Sequence, residues 1–133
     1  MGENVLKFGT YVRVGNAAEA YELLQKNRNN KIVGGGIWMR LGSRRVATAI
    51  DLSACGLDQI EETEEEFRIG CMCSLRQLEL HKGLNQYFDG AFRECTRWIV
   101  GTQFRNSATV GGSVFGRFGF SDVLTMLLAL DTE

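Results

Sequence analysis

At 133 residues the chain is long enough for one domain with a real core, or two small lobes, and too short for two ordinary domains. Fifteen Lys and Arg against sixteen Asp and Glu leave a formal charge of −1, so no global field draws the chain to nucleic acid or anionic lipid. Its 44% hydrophobic and 23% charged residues exclude a disordered chain, and the longest apolar stretch, Val123 to Leu130, falls far short of a bilayer span.

Met1-Gly2-Glu3-Asn4 does not read as a signal peptide, and the chain is expected in the cytoplasm. Four cysteines (Cys55, Cys71, Cys73 and Cys95) fit no zinc spacing and are expected as buried, reduced thiols. Proline is absent, so glycine must make the turns that need unusual backbone angles.

In chain order, TYVRV (10–14) reads as a strand. Asn16 stands where an N-cap belongs, ahead of AAEAYELLQKNR, in which Ala17, Ala20, Tyr21, Leu23 and Leu24 recur at helical spacing. NNKIV then forms a strand that runs straight into Gly34-Gly35-Gly36. IWMRLGSRR is a short helical turn, and VATAIDL (46–52) a third strand. This first lobe, over 1–55, is therefore a small βαβ unit carrying a glycine loop.

The second lobe, 56–133, opens with LDQIEETEEEFRIG, two short extended pieces around an acidic tip, which reads as a hairpin with Glu61 to Glu66 in a solvated loop. Ser74 is a plausible N-cap for SLRQLELHKGL. NQYFDGAFRECTRWIV places Phe88, Phe92, Cys95 and Ile99 on one face and predicts a longer amphipathic helix. A Gly111-Gly112 loop follows. Ser121 or Asp122 then caps a strongly apolar last helix, FSDVLTMLLALD. The order of elements implies an α+β fold with mixed sheets.

The two glycine stretches carry the chemistry. Unpaired backbone N–H groups hold a phosphate or pyrophosphate closely only where no Cβ intrudes. One such loop alone is no more than a tight turn. Two of the same type, each after an apolar β-branched residue, suggest two jaws of one phosphate clamp. No G-x-x-x-x-G-K occurs, which excludes a P-loop. A Rossmann fingerprint fits in part: Gly34-x-Gly36 follows a strand and Asp51 ends the next one as a ribose ligand, but Met39 occupies the third small-residue position. His81, the sole histidine, is expected on the solvated surface, and no catalytic triad can be assembled. Trp38 and Trp98 read as core or loop-packing residues within reach of a ring system. Arg105 is either structural or a phosphate counter-charge.

KIVGGGIWMRL, AIDLS, FRIGCMCSLRQLE and GTQFRNSATVGGSVFGRFGFSDVLTMLLALD together resemble, in order and spacing, the FAD-binding subunit or domain of the molybdenum hydroxylases, the xanthine dehydrogenase and carbon monoxide dehydrogenase family. The resemblance runs from about Tyr11 to Asp131 and is most specific in the R-N-x-A-T-x-G-G block with the S-D and L-A-L that follow. It implies a PCMH-like FAD-binding fold. It also implies that the backbone of Lys31, Ile32, Val33, Gly34, Gly35, Gly36 and Ile37 wraps the FAD pyrophosphate from one side. Ala108, Thr109, Gly111 and Gly112 would close the other side. Ser113 stands at the family's usual Asn, Ser121 and Asp122 at the S-D that meets the ribose and adenine end, and Ile99 where some members stack an aromatic on the isoalloxazine.

The same resemblance implies a module that is not active alone. It would take electrons from an iron–sulfur (2Fe-2S) subunit, beside a molybdopterin-binding subunit, and pass them to an acceptor such as NAD. Three departures bear on this. Ser113 is shorter than Asn. Phe115, Arg117, Phe118 and Phe120 replace a small, proline-containing segment. The family pattern also continues past the L-A-L-D helix, so the chain reads as a fragment of a longer subunit, its C-terminal part missing, or as a short protein that associates through the apolar last helix. The alternatives are a non-catalytic assembly module of the same fold without flavin and a Rossmann-type NAD module that depends on Asp51.

Overall fold

A computed structural model of the chain describes residues 5–133; Met1 to Asn4, on which the reading of the amino terminus rests, lie outside the described residues. The chain divides into two compact units, one through Leu57 and one from Asp58 to Glu133, each with its own core.

The first unit is a three-stranded sheet in the order β1-β3-β2, with β1 at Lys7–Arg13, β2 at Lys31–Val33 and β3 at Arg45–Asp51. All pairings are parallel. A parallel neighbour demands a crossover, and α1 (Ala17–Lys26) supplies the first one. Asn16 starts it as expected: its Oδ1 accepts the Glu19 N–H at 2.9 Å, and the Glu19 carboxylate returns the favour to the Gly15 N–H at 3.0 Å. Asn30, nine-tenths buried, donates from Nδ2 to the Leu23 carbonyl at 2.7 Å and ties the end of α1 to the start of β2. The central strand carries the core, with Ala49 and Ile50 fully buried beside Val46. The first strand starts earlier than TYVRV because Lys7 and Phe8 already pair with Arg45 and Val46.

The second unit begins with an antiparallel hairpin, β4 (Ile60–Glu62) and β5 (Phe67–Ile69), whose acidic tip is solvent-exposed. Helices α2 (Leu75–Leu80), α3 (Lys82–Tyr87), α4 (Ala91–Thr96), α5 (Thr102–Ser107), α6 (Val110–Phe115) and α7 (Asp122–Ala129) follow. Cys73, Leu75, Leu78, Leu84, Phe92, Val110 and Val123 form the core, with Phe88 and Ile99 packed against it. Ser74 caps α2 through a reciprocal box with Gln77.

Here the structure corrects several expectations. The helix read over 74–84 is two helices, because His81 takes an extended conformation and its Nδ1 accepts the Leu84 N–H at 3.1 Å to start α3. This histidine is half-buried, edge-on to Phe67 at 6.2 Å, rather than a solvated surface group. The long helix expected from Asn85 to Val100 is broken at Asp89 and Gly90, both at positive φ (54° and 77°), leaving the end of α3 and the separate α4. Asn85 explains how the break is held. Its Nδ2 donates to the carbonyls of Leu78, Glu79 and His81, and its Oδ1 accepts the Arg93 N–H at 2.8 Å. Helices α5 and α6 have no counterpart in the sequence reading. Among the described residues no helix is long and apolar enough to cross a membrane.

Candidate functional site

In the first unit the carboxyl end of β2 opens into the glycine stretch. Among the described residues, the N–H groups of Gly34, Gly35, Gly36 and Ile37 donate to no backbone or side-chain acceptor. Gly36 sits at φ 69°, a conformation that side chains other than glycine rarely adopt. Beyond it the chain closes again: the Arg40 N–H bonds the Gly36 carbonyl at 3.1 Å and the Gly42 N–H bonds Met39 at 3.0 Å, forming the 3-10 turn Met39–Leu41. The run of amides without a protein acceptor lies between two well-bonded segments, leaving these donors open to a group from outside the chain. It also lies at the carboxyl edge of a parallel sheet, where open α/β sheets place ligands. Trp38 stands beside it, about half exposed. Lys31 directs its Nζ to the Arg28 carbonyl, and Ile32 is exposed.

Asp51 ends β3 in register with Val33, one residue before the glycines. Its Oδ2 accepts the Tyr11 hydroxyl and its Oδ1 the Ser53 N–H at 2.8 Å. Burial would raise this carboxyl, but the Tyr11 and Ser53 hydrogen bonds outweigh burial and hold it below its ordinary value. The Tyr11 phenol is raised in turn, chiefly by its bond to Asp51. Each oxygen of Asp51 thus accepts one hydrogen bond from inside the unit.

The second glycine pair is different in kind. Gly111 and Gly112 lie in the first turn of α6, not in an open loop after a strand. Gly111 donates to the Cys71 carbonyl at 2.8 Å and Gly112 to Thr109 Oγ1 at 3.2 Å. The segment is zipped onto residues 73–75: Leu75 N–H to Ala108, Val110 N–H to Cys73. A Cβ on Gly111 would meet Cys71 Cβ and O at 2.8 Å, so glycine is required for close packing. Among the described residues the Thr109 N–H is the backbone donor of 108–113 that has no acceptor in the chain. Ser113 Oγ bonds the Thr109 carbonyl at 3.0 Å, and Ser121 Oγ accepts the Leu124 N–H at 3.2 Å, which settles the N-cap of α7 on Ser121 and leaves Asp122 exposed in its first turn. Ile99 packs on the core and gives its carbonyl to Arg105 Nη1 at 3.1 Å.

Arg105 proves structural. Its Nε donates to Glu79 Oε2 at 2.9 Å, and Arg76 Nη1 reaches the same oxygen at 2.8 Å. Sequence reasoning missed Glu79 as its partner because the two are 26 positions apart and meet only when α2 packs on α5. Burial would raise the Glu79 carboxyl, but the Arg76 and Arg105 guanidiniums overcome burial and hold it below the usual range.

A three-stranded parallel sheet, followed by a helical unit with an antiparallel hairpin, defines an α+β module. Residues 6–133 match the model of the FAD binding domain in molybdopterin dehydrogenase, and the chain belongs to that family, whose cofactor is FAD. It is 31% identical over 117 residues to the aldehyde oxidoreductase FAD-binding subunit PaoB of Escherichia coli K12, covering 84% of this chain and 36% of that protein. It is 28% identical over 131 residues to the uncharacterized protein YgfM of the same organism, covering 92% of this chain and 47% of that one. Among solved structures it resembles the Cu,Mo-CO dehydrogenase in its cyanide-inactivated form, with TM-score 0.76 and 24% identity over 84% of this chain and 41% of that chain. That likeness establishes the PCMH-like α+β fold. The chain spans less than half the length of these relatives.

Proposed function

We propose that the chain is the FAD-binding electron-transfer module of a multi-subunit molybdenum hydroxylase, an oxidoreductase component that works in the cytoplasm and only with its partners. The single observation that carries the reading is the run of unpaired N–H groups from Gly34 to Ile37. The backbone from Lys31 to Ile37 supplies donors to the FAD diphosphate, and the absence of side chains at the glycines lets its oxygens come close. The Thr109 N–H, Ala108, Ser113, Ser121 and Asp122 supply further contacts to the cofactor, and Gly111 and Gly112 serve by holding Thr109 in place. Ile99 presents its flank to the ring system. The Tyr11 hydroxyl and the Ser53 N–H hold the Asp51 carboxylate in place at the end of β3.

FAD, when bound, would supply the redox chemistry, with the protein positioning it. The relatives named as an FAD-binding subunit and a dehydrogenase-complex subunit support partner subunits, which in this reading are an iron–sulfur donor and a molybdopterin-binding neighbour, with NAD as acceptor and the apolar α7 as a docking face for a subunit or a second copy. The test is titration of the chain, and of the subunit that carries it, with FAD, read by flavin fluorescence and by competition with ADP. Saturable binding weakened by ADP supports the reading; unchanged fluorescence with both proteins overturns it.

One observation favours a second reading, an assembly module without flavin. Phe115 is 86% exposed, and Phe118 and Phe120 stack at 5.1 Å in the same segment, an apolar surface suited to a protein partner. A purified subunit with no flavin absorbance that still joins its complex would favour it.

A further inference from the structure

The formal charge of −1 conceals a division. Through Leu57 the chain carries eight Lys and Arg against four Asp and Glu; from Asp58 onward it carries seven against twelve. The first unit is basic and the second acidic.

Within the first unit Lys7, Arg28, Arg44 and Arg45 gather at the amino ends of the parallel strands, whereas Arg13 ends β1 and Arg40 follows the glycine cradle at their carboxyl ends. Lys7 opens β1 and Arg45 opens β3, and the two are Cα partners in register. The Lys7 N–H donates to the Arg44 carbonyl at 3.2 Å. The turn that holds Arg28 is drawn to the same rim, because the Asn29 carbonyl accepts the Ala47 N–H at 3.0 Å. Lys7, Arg28, Arg44 and Arg45 are all exposed. Like charges placed opposite one another on neighbouring strands are destabilising, and among the described residues no carboxylate forms an ion pair with them. The four ion pairs among the described residues all lie in the second unit. A rim built this way is stabilised by an anion from outside.

The same sequence contains a matching surface. The β4–β5 hairpin carries Glu61, Glu64 and Glu65, exposed and without an ion-pair partner among the described residues. We propose that the basic rim of Lys7, Arg28, Arg44 and Arg45 docks the acidic hairpin of a second copy of this chain. Different surfaces meet in such a contact, so it is head-to-tail, and it extends or closes into a ring with further copies. The near-zero net charge removes the long-range repulsion that would otherwise keep copies apart. The contact rests on exposed charges and is therefore screened by salt.

Sedimentation velocity across a concentration series, at about 20 mM and about 0.5 M salt, tests it. The expected result is an average mass that rises with concentration at low salt and returns to the monomer at high salt. Arg44→Glu with Arg45→Glu, and separately Glu64→Lys with Glu65→Lys, each abolish the association, and an equimolar mixture of the two variants restores it. Recovery in the mixture shows that neither variant has merely failed to fold. Asp131→Lys with Glu133→Lys, which changes net charge equally, leaves the association intact. A chain that is monomeric at every concentration and salt, or association that survives in either charge-reversed variant, overturns the proposal. So does a salt response without concentration dependence, which marks a contact within one chain, or a monomer captured by phosphatidylserine vesicles through Arg44 and Arg45.

Discussion

Arg105 and Glu79 are joined at 2.9 Å between Nε and Oε2, with both residues 7% exposed, and Arg76 completes the group from the rim. Removing Arg105 leaves the buried Glu79 carboxylate with Arg76 alone and strips it of one charge-assisted hydrogen bond, at a cost of about 1–3 kcal/mol. Arg105→Ala is therefore expected to lower the urea midpoint steeply, whereas Glu79→Leu combined with Arg105→Met costs much less. Equilibrium urea unfolding of both variants checks the contrast.

The same carboxylate fixes a pH response. Glu79 is held below the 4.5 of a free glutamate, with Arg76 and Arg105 outweighing its burial. The folded state therefore binds this proton less tightly than the unfolded one. Its stabilising contribution is complete above about pH 4.5 and is lost as pH falls through the depressed value. Urea midpoints measured from pH 7 down to pH 3 should decline with a slope that Glu79→Gln reduces.

Gly36→Ala places a side chain at φ 69°. A residue with a Cβ pays roughly 1–2 kcal/mol there, and the cradle shifts or destabilises with it. FAD affinity measured by fluorescence titration is expected to fall about tenfold or more, a loss of ~1.4 kcal/mol, while the melting temperature changes by only a few degrees.

The second glycine pair separates in the opposite manner. Gly111→Ala drives a Cβ to 2.8 Å from Cys71 Cβ and O and should cost about 1–3 kcal/mol, as overpacking does. At Gly112 the nearest atom is Thr109 Oγ1 at 3.0 Å, so Gly112→Ala is the milder change. Thermal unfolding of the two single variants gives the order.

Burial, with help from the Asp122 charge, pushes the Cys95 thiol up to about 11, and its sulfur rests 3.2 Å from that of Met126. Two units above an ordinary thiol mean about a hundredfold less thiolate. Iodoacetamide labelling near pH 8, followed by peptide mass spectrometry, should find Cys95 modified about a hundredfold more slowly in the native than in the urea-unfolded protein.

Much of the first unit was legible because its signals are local. Asn16, the β-rich TYVRV and VATAIDL stretches and the Gly34 to Gly36 run each act within a few residues, and each stands where the sequence placed it. The second unit was harder because its helices are short. Periodicity across 85–100 is real, and Phe92 and Ile99 do face the core. Yet the backbone turns at Asp89 and Gly90 are fixed by Asn85, whose contacts reach up to eight residues away. Six-residue helices such as α5 and α6 leave too few turns to show a period. Glycine type alone also cannot tell an open cradle from a packed turn: that difference lies in Cys71 and Cys73, which take the Gly111 and Val110 amides.

Asn85 also shapes how this unit comes apart. Helices of six residues do not persist in water by themselves, and α2, α3 and α4 are each that long. One amide group grips the last carbonyls of α2, lies within α3 and receives the opening of α4. Fraying any of the three strips hydrogen bonds from the other two, so the trio melts as a single cooperative block. Deuterium uptake across Leu75 to Thr96 would then follow one opening equilibrium instead of three.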